Sequence, residues 1–361
     1  MSAEKVVLAL DGMGGDNAPA VVVNGAAIAR ERYPGTTFLL FGDAARLKPL
    51  VDRHKNLAKA CEIVAAEDVV TGEDKPTFAL RRRRKSSMWL AVDAAARGRA
   101  DSVVSAGNTG ALLAISMFAM RMVAGAHRPA LASFLPTTRG ETVMLDLGAN
   151  LNCDAENLAE FAIMGSVFCQ LLQGQDRPRV GILNVGSEDL KGHEELRQAA
   201  AWLRRDGVPI DFHGFIEGND IGSGTVDVVV TDGFTGNVAL KAIEGTAKLY
   251  TGLVRDAFRT STFAKIGYLF ASGAWVKLRK RVDPRRYNGG VFLGLDGISV
   301  KSHGGTDQLG FAYAIGVAVD LVRYNYKDKV VEALARLHGA IAAPNESADP
   351  AEALQTSGIG P

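Results

Sequence analysis

In the stretch "VDVVVTDGFTGNVAL", Val226 to Leu240, a valine-rich strand runs directly into a Gly-x-Thr-Gly turn that opens a helix, which is the strand-to-helix unit of an α/β fold. The same pattern occurs in "ADSVVSAGNTGALLA", Ala100 to Ala114, where Asp101 aligns with Asp227. Two such strand-to-helix units predict two similar half-sites. Since turns of this kind are common in α/β proteins, a chance similarity is the alternative.

Short apolar runs bounded by Gly, Asp or Asn recur on both sides of these units, and Ala-rich segments with helical spacing separate them. We predict strands at "KVVLAL", "TTFLLFG", "CEIVAA", "DSVVSA", "ALASFLP", "ETVMLDLG", "RVGILNV", "DFHGFIE", "VDVVVTD" and "GISVKSH". Several are apolar almost throughout, which is typical of strands covered on both faces. The sequence therefore predicts an α/β fold with a mostly parallel sheet covered by helices.

No long Pro/Ser-rich linker divides the 361 residues. We expect residues 1–339 to form a single α/β unit, either compact or as two lobes around a cleft, with a helical excursion at about 245–288. Residues 340–361, "AIAAPNESADPAEALQTSGIGP" from position 340 onward, have the composition of a flexible tail.

Composition excludes several classes of protein. The formal net charge of +1 gives no global electrostatic case for binding nucleic acid. Cys61, Cys153 and Cys169 lack CxxC spacing, which argues against disulfides and zinc and favours a reducing cytoplasm. The N-terminal "MSAEKVVLALDGMGG" has neither the basic n-region nor the apolar h-region of a secretory leader, which argues against secretion. The longest apolar run, "ALLAISMFAM", is too short to span a bilayer.

Glycine-rich or polar turns follow six of the predicted strands, namely "GMGGDNAP", "AGNTGA", "LGANLNCD", "VGSEDLKG", "DGFTGN" and "KSHGGTD". In a parallel sheet such turns lie on the carboxyl edge, where open α/β proteins bind ligands. Exposed backbone N–H groups and helix N-termini favour an anion, phosphate above all. Each turn taken singly is also explained as a tight strand-to-helix connection, but together they predict a shared phosphate site.

Missing motifs narrow the chemistry further. The chain has no GxGxxG after the first strand, no GxxxxGK[ST], no GxSxG and no HExxH. Asp11, Asp146 and Asp232 each end a strand, but without the tight carboxylate spacing of a metal site. We therefore expect no cofactor and no metal, and phosphate itself becomes a candidate reactant.

Eight motifs in order, "LDGMGGDNAP", "RRRRKSSM", "ADSVVSAGNTGAL", "HRPALASFLPT", "LDLGAN", "ILNVGSEDLKGHE", "VVVTDGFTGNVALK" and "VKSHGGTD", resemble those of the bacterial phosphate acyltransferase family, PlsX. The resemblance runs from about Val6 to Ala335. Gly12 departs from the usual alanine of "DAMGGD", and Gly305-Thr306 replaces a serine-containing pair.

The resemblance implies an enzyme that transfers a fatty acyl group from acyl carrier protein to inorganic phosphate, giving acyl phosphate for phospholipid synthesis. It also implies a homodimer that is cytoplasmic and peripherally associated with membrane. The implied fold is similar to that of phosphate acetyltransferases and of isocitrate and isopropylmalate dehydrogenases.

Phosphate attack on a thioester needs a held dianion and stabilisation of negative charge on oxygen. We expect Lys191 with the Gly186 and Ser187 backbone to supply this, with Lys301 and His303 adding charge or a proton relay. Candidate donors to the phosphate oxygens come from both Gly-x-Thr-Gly units: Asn108, Thr109, Thr235 and Asn237.

Simpler explanations stay open for the charged residues. Lys191 could be a solvated loop lysine paired with Glu188 or Asp189, and His303, near a turn glycine, could do no more than bond backbone carbonyls. We interpret the two acidic residues as helix-capping or lysine-orienting groups, not as catalytic acid and base.

Basic clusters lie at Arg81 to Lys85 and in "VKLRKR", Val276 to Arg281. We expect them to receive acidic acyl carrier protein or anionic lipid, although a solvated helix face is the alternative. Apolar residues beside the second cluster predict helices at a membrane interface, whose expected contacts are Trp275, Lys277, Leu278 and Arg279. A buried amphipathic hairpin at a dimer interface is the other interpretation.

Two rival functions remain. A nicotinamide-dependent dehydrogenase of similar fold is disfavoured because the dinucleotide fingerprint is missing. A non-catalytic, membrane-docked scaffold would use the basic clusters but would not need the polar turns.

Overall fold

The computed structural model describes residues 5–281 and 283–343, and the side chains of 279 and 280 lie outside that description. All ten predicted strands are present, together with a further short strand that the sequence reasoning missed, Gly290–Leu293. The strands are β1 Val6–Asp11, β2 Thr36–Gly42, β3 Cys61–Ala65, β4 Ser102–Ser105, β5 Ala130–Thr137, β6 Gly140–Leu145, β7 Arg179–Leu183, β8 Asp211–Ile216, β9 Val228–Val230, β10 Gly290–Leu293 and β11 Ile298–Lys301.

Helices alternate with these strands, as the sequence predicts. They are α1 Ala20–Arg32, α2 Ala44–Val51, α3 Lys55–Ala58, α4 Pro76–Arg82, α5 Ser87–Ala96, α6 Thr109–Met120, α7 Ala155–Gln173, α8 Glu194–Leu203, α9 Gly218–Ser223, α10 Gly233–Ala257, α11 Thr262–Phe270, α12 Ser272–Arg281, α13 Gln308–Arg323 and α14 Tyr326–Ala342.

A single sheet holds the strands in the order β3-β2-β1-β4-β11-β10-β5-β6-β9-β7-β8. The pairs within β3-β2-β1-β4-β11 and within β6-β9-β7-β8 are parallel. Three antiparallel pairings, β11–β10, β10–β5 and β5–β6, join these two sets. Because three reversals lie between them, the two parallel sets run in opposite directions.

The strand order is symmetric about the β10–β5 pairing, since β10-β11-β4-β1-β2 on one side corresponds to β5-β6-β9-β7-β8 on the other. The repeated sequence units occupy equivalent places in β4 and β9. The Asp101 carboxylate accepts the Val7 N–H at 2.7 Å, and the Asp227 carboxylate accepts the Arg179 N–H at 2.8 Å. The sequence repeat therefore reflects two equivalent halves, and the chance-similarity alternative is wrong.

The hydrophobic core is continuous across both halves on one face of the sheet, where α1, α7, α13 and α14 pack. Helix α7 is buried at Ala155 and continuously from Asn157 to Cys169. On the other face the core is divided: α5 and α6 cover β1 and β4, while a smaller cluster around Met144 and Val229 covers the second half. One shared core thus holds the two halves together.

Helices α10 to α12 occupy the segment in which a helical excursion is expected. Of the 25 residues of α10, only Gly233 and Gly236 are buried, and α11 has no buried residue. The apolar residues Leu249, Leu253 and Phe263 are more than half exposed. Among the helices of the described ranges, none is both long enough and apolar enough to cross a membrane.

The end of α14 differs from the predicted start of the tail, since the helix continues to Ala342. Arg205 donates to the Ile341 carbonyl at 2.6 Å, and the Ile341 side chain packs against the core. Residues 344–361, which make up most of the predicted tail, lie outside the described residues.

These contacts predict that a chain ending at Gly339 melts at a temperature roughly 5 °C lower than a chain ending at Ala343, because it loses a charged hydrogen bond and apolar burial. Thermal unfolding of the two truncated chains, which both lack residues 344–361, measures the difference. Equal melting temperatures would show that the last turn of α14 contributes nothing.

Candidate active site

The six polar turns do not share one edge of the sheet, and that expectation from the sequence is wrong. Because the two parallel sets run in opposite directions, their carboxyl ends lie at opposite edges. The turns after β1, β4 and β11 form one group, here called the β1–β4–β11 cluster, with Asn108, Thr109, Lys301 and His303. The turns after β6, β7 and β9 form the β6–β7–β9 cluster, with Gly186, Ser187, Lys191, Thr235 and Asn237.

Asp11 organises the β1–β4–β11 cluster. Its buried carboxylate accepts the Ser87 hydroxyl at 2.6 Å and the Ser105 hydroxyl at 2.7 Å. Burial raises the pKa of Asp11, while these hydrogen bonds oppose the shift. A Cβ atom on Gly14 would lie 2.3 Å from Asp11 Oδ2, so the glycine after β1 is required for this close approach.

Lys301 lies at the end of β11 in the same cluster and is largely buried. Burial lowers the pKa of its ammonium group to about 8, and the negative charges of Asp11 and Asp16 oppose the shift only in part. The ammonium group donates to the Ser302 carbonyl. A lysine with this pKa can carry a proton or give one up near neutral pH, as a proton relay requires.

His303 is exposed, and its ring is held by the backbone. Nδ1 accepts the Gly305 N–H at 3.2 Å, so the neutral ring carries its proton on Nε2. The His303 backbone N–H donates to Asn288 Oδ1 at 2.8 Å. The ring contact is therefore with a backbone N–H and not with the backbone carbonyl that the alternative interpretation of His303 expects.

Asn108 has a different use from the expected one. Its Oδ1 caps α6 by accepting the Ala111 N–H at 3.0 Å, and its Nδ2 donates to the carbonyls of Gly72 and Asp74, each at 3.0 Å. The side chain therefore fastens the 71–76 loop to the helix N-terminus, and its amide donors are committed to that loop. Thr109 is exposed in the first turn of α6.

Asp146 organises the β6–β7–β9 cluster. It follows β6, the strand that corresponds to β11 in the other half. Its fully buried carboxylate accepts five hydrogen bonds between 2.7 and 3.1 Å, four from backbone N–H groups and one from the Asn150 amide. Burial raises the pKa of Asp146, and the hydrogen bonds oppose the shift. The sequence reasoning considered Asp146 only as a metal ligand. The sequence signal for this turn is the pattern Asp-x-Gly-x-Asn directly after a strand, here Asp146 to Asn150.

The first turn of α10 packs tightly against the Asp146 turn. A Cβ atom on Gly233 would lie 2.4 Å from the Asn150 carbonyl oxygen, and one on Gly236 would lie 1.9 Å from the Asp146 carbonyl oxygen. Asp232 caps the helix by accepting the Thr235 N–H at 2.9 Å. The glycines of Gly-x-Thr-Gly are therefore needed for backbone approach.

Asn237 and Thr235 stand exposed on this clamped turn. The Cβ of Asn237 lies 3.5 Å from where a Cβ on Gly148 would be, so its amide is next to the Asp146 turn. Both residues are at the N-terminal end of a long helix, where the helix dipole and free N–H groups favour an anion.

The loop that carries Lys191 follows β7, which pairs directly with β9. The Asn184 side chain donates to the Lys191 carbonyl at 3.1 Å and so holds the loop closed. A Cβ on Gly186 would lie 3.2 Å from Lys191 Cγ, so the lysine stem lies over Gly186. Asp189 pairs with Arg204 at 2.6 Å, which does not fit the alternative that it neutralises Lys191. Lys191 and Ser187 are exposed.

The expected membrane contacts differ in exposure. Trp275 packs its ring 5.3 Å from that of Phe258 and 6.0 Å from that of Tyr268, and its indole nitrogen is buried. Lys277 and Leu278 are exposed, and the Arg279 side chain lies outside the described residues. Phe263 and Phe270 on α11, each 87% exposed, are the more prominent apolar side chains.

The basic run Arg81 to Lys85 is partly used within the chain. Arg83 pairs with Asp68 at 2.8 Å and Asp74 at 3.2 Å, and Lys85 pairs with Glu67 at 2.7 Å. The exposed Arg81 and Arg82 are the members best presented to an acidic partner.

Comparison with known proteins places these features in a family. The family model described as "Fatty acid synthesis protein" matches residues 6–329. The phosphate acyltransferase of Rhodospirillum centenum is 56% identical over 350 residues, covering 97% of this chain and 99% of its own length. That of Paramagnetospirillum magneticum is 54% identical over 343 residues, covering 95% and 98%.

Solved structures agree on the fold. A phosphotransacetylase from Streptococcus pyogenes has a TM-score of 0.59 at 13% identity, covering 89% of this chain and 94% of its own. The EutD phosphotransacetylase from Staphylococcus aureus has a TM-score of 0.57 at 15% identity, covering 90% and 95%.

The lowered pKa of Lys301 predicts a pH-dependent difference in stability between the wild type and Lys301→Met. The unfolded lysine titrates near 10.5 and the folded one near 8, so the unfolded state binds more protons between these values. The wild type should therefore gain roughly 2 kcal/mol in unfolding free energy relative to the variant between pH 7 and pH 10.

Urea unfolding at the two pH values measures this gain, and Lys329→Met is the control for loss of a surface lysine. A constant difference between wild type and Lys301→Met across this range would mean that Lys301 is not desolvated.

Proposed function

The chain belongs to the phosphate acyltransferase family, and from this premise we propose that it transfers a fatty acyl group from acyl carrier protein to inorganic phosphate, with acyl phosphate as product. The observation that carries the proposal is the position of the β6–β7–β9 cluster. An anion-favouring helix N-terminus and a lysine loop lie there at the base of α10, whose exposed surface includes Phe234, Val238, Leu249 and Leu253. A site for this reaction needs both a place for phosphate and a path for an acyl chain.

We assign phosphate to the first turn of α10, where Thr235 and the Asn237 amide offer donors beside the helix dipole. A phosphate oxygen attacks the thioester carbonyl carbon, the C–S bond breaks, and the thiolate of the carrier protein leaves. Lys191, with the Gly186 and Ser187 backbone N–H groups, stabilises the negative charge that develops on the carbonyl oxygen. Because a thiolate leaves readily, no strong general acid is required.

The acyl chain then lies along the exposed apolar side of α10 and α11, which includes Val238 and Leu249. In this assignment Lys301 and His303 take no part in bond formation, since their strand ends lie at the opposite edge. They remain candidates, with Thr109, for a separate anion site in the β1–β4–β11 cluster.

Partners follow from the same surfaces. We propose that acyl carrier protein, which is acidic, is received by the exposed Arg81 and Arg82 or by Lys277 on α12. Two copies of the chain form a homodimer to which α10 to α12 contribute. The enzyme works in the cytoplasm and touches anionic membrane peripherally, where a product with a long apolar chain is released.

The function is tested by following phosphate-dependent loss of acyl carrier protein thioester, with acyl phosphate trapped by hydroxylamine. We expect turnover with inorganic phosphate and without nicotinamide, nucleotide or added metal. Full thioester loss without phosphate, or no hydroxamate product, would reject the proposal.

In the same assay Lys191→Ala should lower kcat by about a hundredfold or more, the usual scale for losing one charge-stabilising donor. Lys329→Ala, an exposed lysine on α14, is the matched control and should keep normal kcat. A folded Lys191→Ala enzyme with near-normal kcat would return this residue to the role of a solvated loop lysine.

Contact with membrane is tested by co-sedimentation with anionic vesicles. The double variant Phe263→Glu with Phe270→Glu should lose most vesicle binding, because two of the most exposed apolar rings become charged. Tyr324→Glu, at the end of α13, controls for added negative charge elsewhere.

Light scattering of the same variants measures their oligomeric state and so distinguishes membrane contact from dimer formation as the role of these helices. Unchanged vesicle binding by the double variant would rule out α11 as the membrane contact, and a change in oligomeric state alone would assign α11 to the dimer.

A further inference from the structure

A group of ionisable side chains lies where three parts of the chain meet, beside the turn that joins β6 to α7. His127 is in the loop before β5, Glu156 and Glu160 are one helical turn apart on α7, and His338 is on α14. Glu160 is fully buried, whereas His127 and Glu156 are about half exposed. The group therefore has a buried floor and an opening to solvent.

The ligand-type atoms of His127, Glu156 and Glu160 all lie within 4.8 Å of one another. His127 Nδ1 is 2.5 Å from Glu160 Oε1 and 4.0 Å from Glu156 Oε1. The second Glu160 oxygen accepts the His127 backbone N–H at 2.9 Å, which fixes the carboxylate and leaves Oε1 turned toward the imidazole.

His338 borders the group, with its Nε2 3.5 Å from Glu160 Oε1. Its Nε2 is 2.9 Å from the Gly125 carbonyl oxygen and so carries the proton in the neutral ring. Its Nδ1 then presents a lone pair, 3.9 Å from Glu156 Oε1. Histidines that bind metals commonly donate their other ring N–H to a backbone carbonyl in this way.

A buried carboxylate also has reason to take a cation. Because Glu160 is fully buried, its charged form is costly without a close positive partner. His127 lies 2.5 Å from Glu160, but the Glu156 carboxylate also faces this space. A divalent cation would balance both charges.

We propose that His127, Glu156, Glu160 and His338 bind a divalent transition-metal ion, with Zn²⁺ as the preferred occupant. Two imidazoles with two carboxylates suit zinc and its neighbours, whereas calcium and magnesium prefer oxygen ligands alone. Around a tetrahedral zinc ion the ligand atoms lie about 3.3 Å apart, a value between the observed 2.5 and 4.0 Å.

The ion would tie the loop before β5 to α7 and α14, and thereby fix the C-terminal helix to the shared core. Its role is structural, because none of the four ligands is among the residues assigned to phosphate or to the thioester carbonyl. The proposal is therefore independent of the proposed acyl transfer.

The test is titration of the metal-stripped full-length protein with Zn²⁺ alone, followed by calorimetry and by thermal unfolding. We expect one saturable site and a melting temperature that rises by several degrees at zinc concentrations about a hundredfold above Kd. Co²⁺ in place of Zn²⁺ should give the visible absorption of a tetrahedral nitrogen and oxygen site.

Glu156→Gln and His338→Ala should each lower the affinity for Zn²⁺ at least tenfold and remove the thermal shift. Glu156→Gln keeps the size of a half-exposed side chain, so loss of binding there cannot be attributed to misfolding. His213→Ala, an exposed histidine on β8, is the control and should bind zinc as the wild type does.

Absence of zinc binding in the wild type would overturn the proposal and leave the group as an ion-pair network only. So would binding that Glu156→Gln and His338→Ala leave unchanged, since the ion would then lie elsewhere.

Discussion

The antiparallel pairing of β10 with β5 is the constraint on which the rest of the structure depends. It joins two halves of similar strand order into one sheet, and with its neighbouring reversals it makes those halves run in opposite directions. The equivalent Asp101 and Asp227 contacts, the shared core on one face and the divided core on the other all follow from this arrangement. Each half therefore presents its own set of strand ends.

Most of the fold could be predicted because strand identity is written in local patterns of apolar residues. The ten predicted strands are all present, but β10 was missed, since only residues 294–297 separate "GVFL" from β11 and the two were not told apart. Strand direction could not be predicted from the same patterns. It is set by pairing with residues distant in sequence, and a reversal leaves no local trace.

The sequence identified many residues of the candidate site, but it did not predict which contacts their side chains make. Glycine-rich turns were correctly identified as special, and Gly233 and Gly236 show why, since neither has room for a Cβ atom. Asn108 was assigned to phosphate, yet its amide holds a loop, because an exposed asparagine and a capping asparagine look the same in sequence. The organising roles of Asp11 and Asp146 were missed since both depend on hydrogen bonds that only the fold assembles.

Helix α10 is clamped at one end alone. Its first turn touches the Asp146 turn so closely that Gly236 has no space for a side chain, while the rest of this 25-residue helix, about 37 Å long in all, is largely exposed. The helix is therefore held against the sheet by its first turn. Any bending of the helix would displace its far end most and its first turn least. Asn237, close to that first turn, would therefore keep its place beside the Asp146 turn.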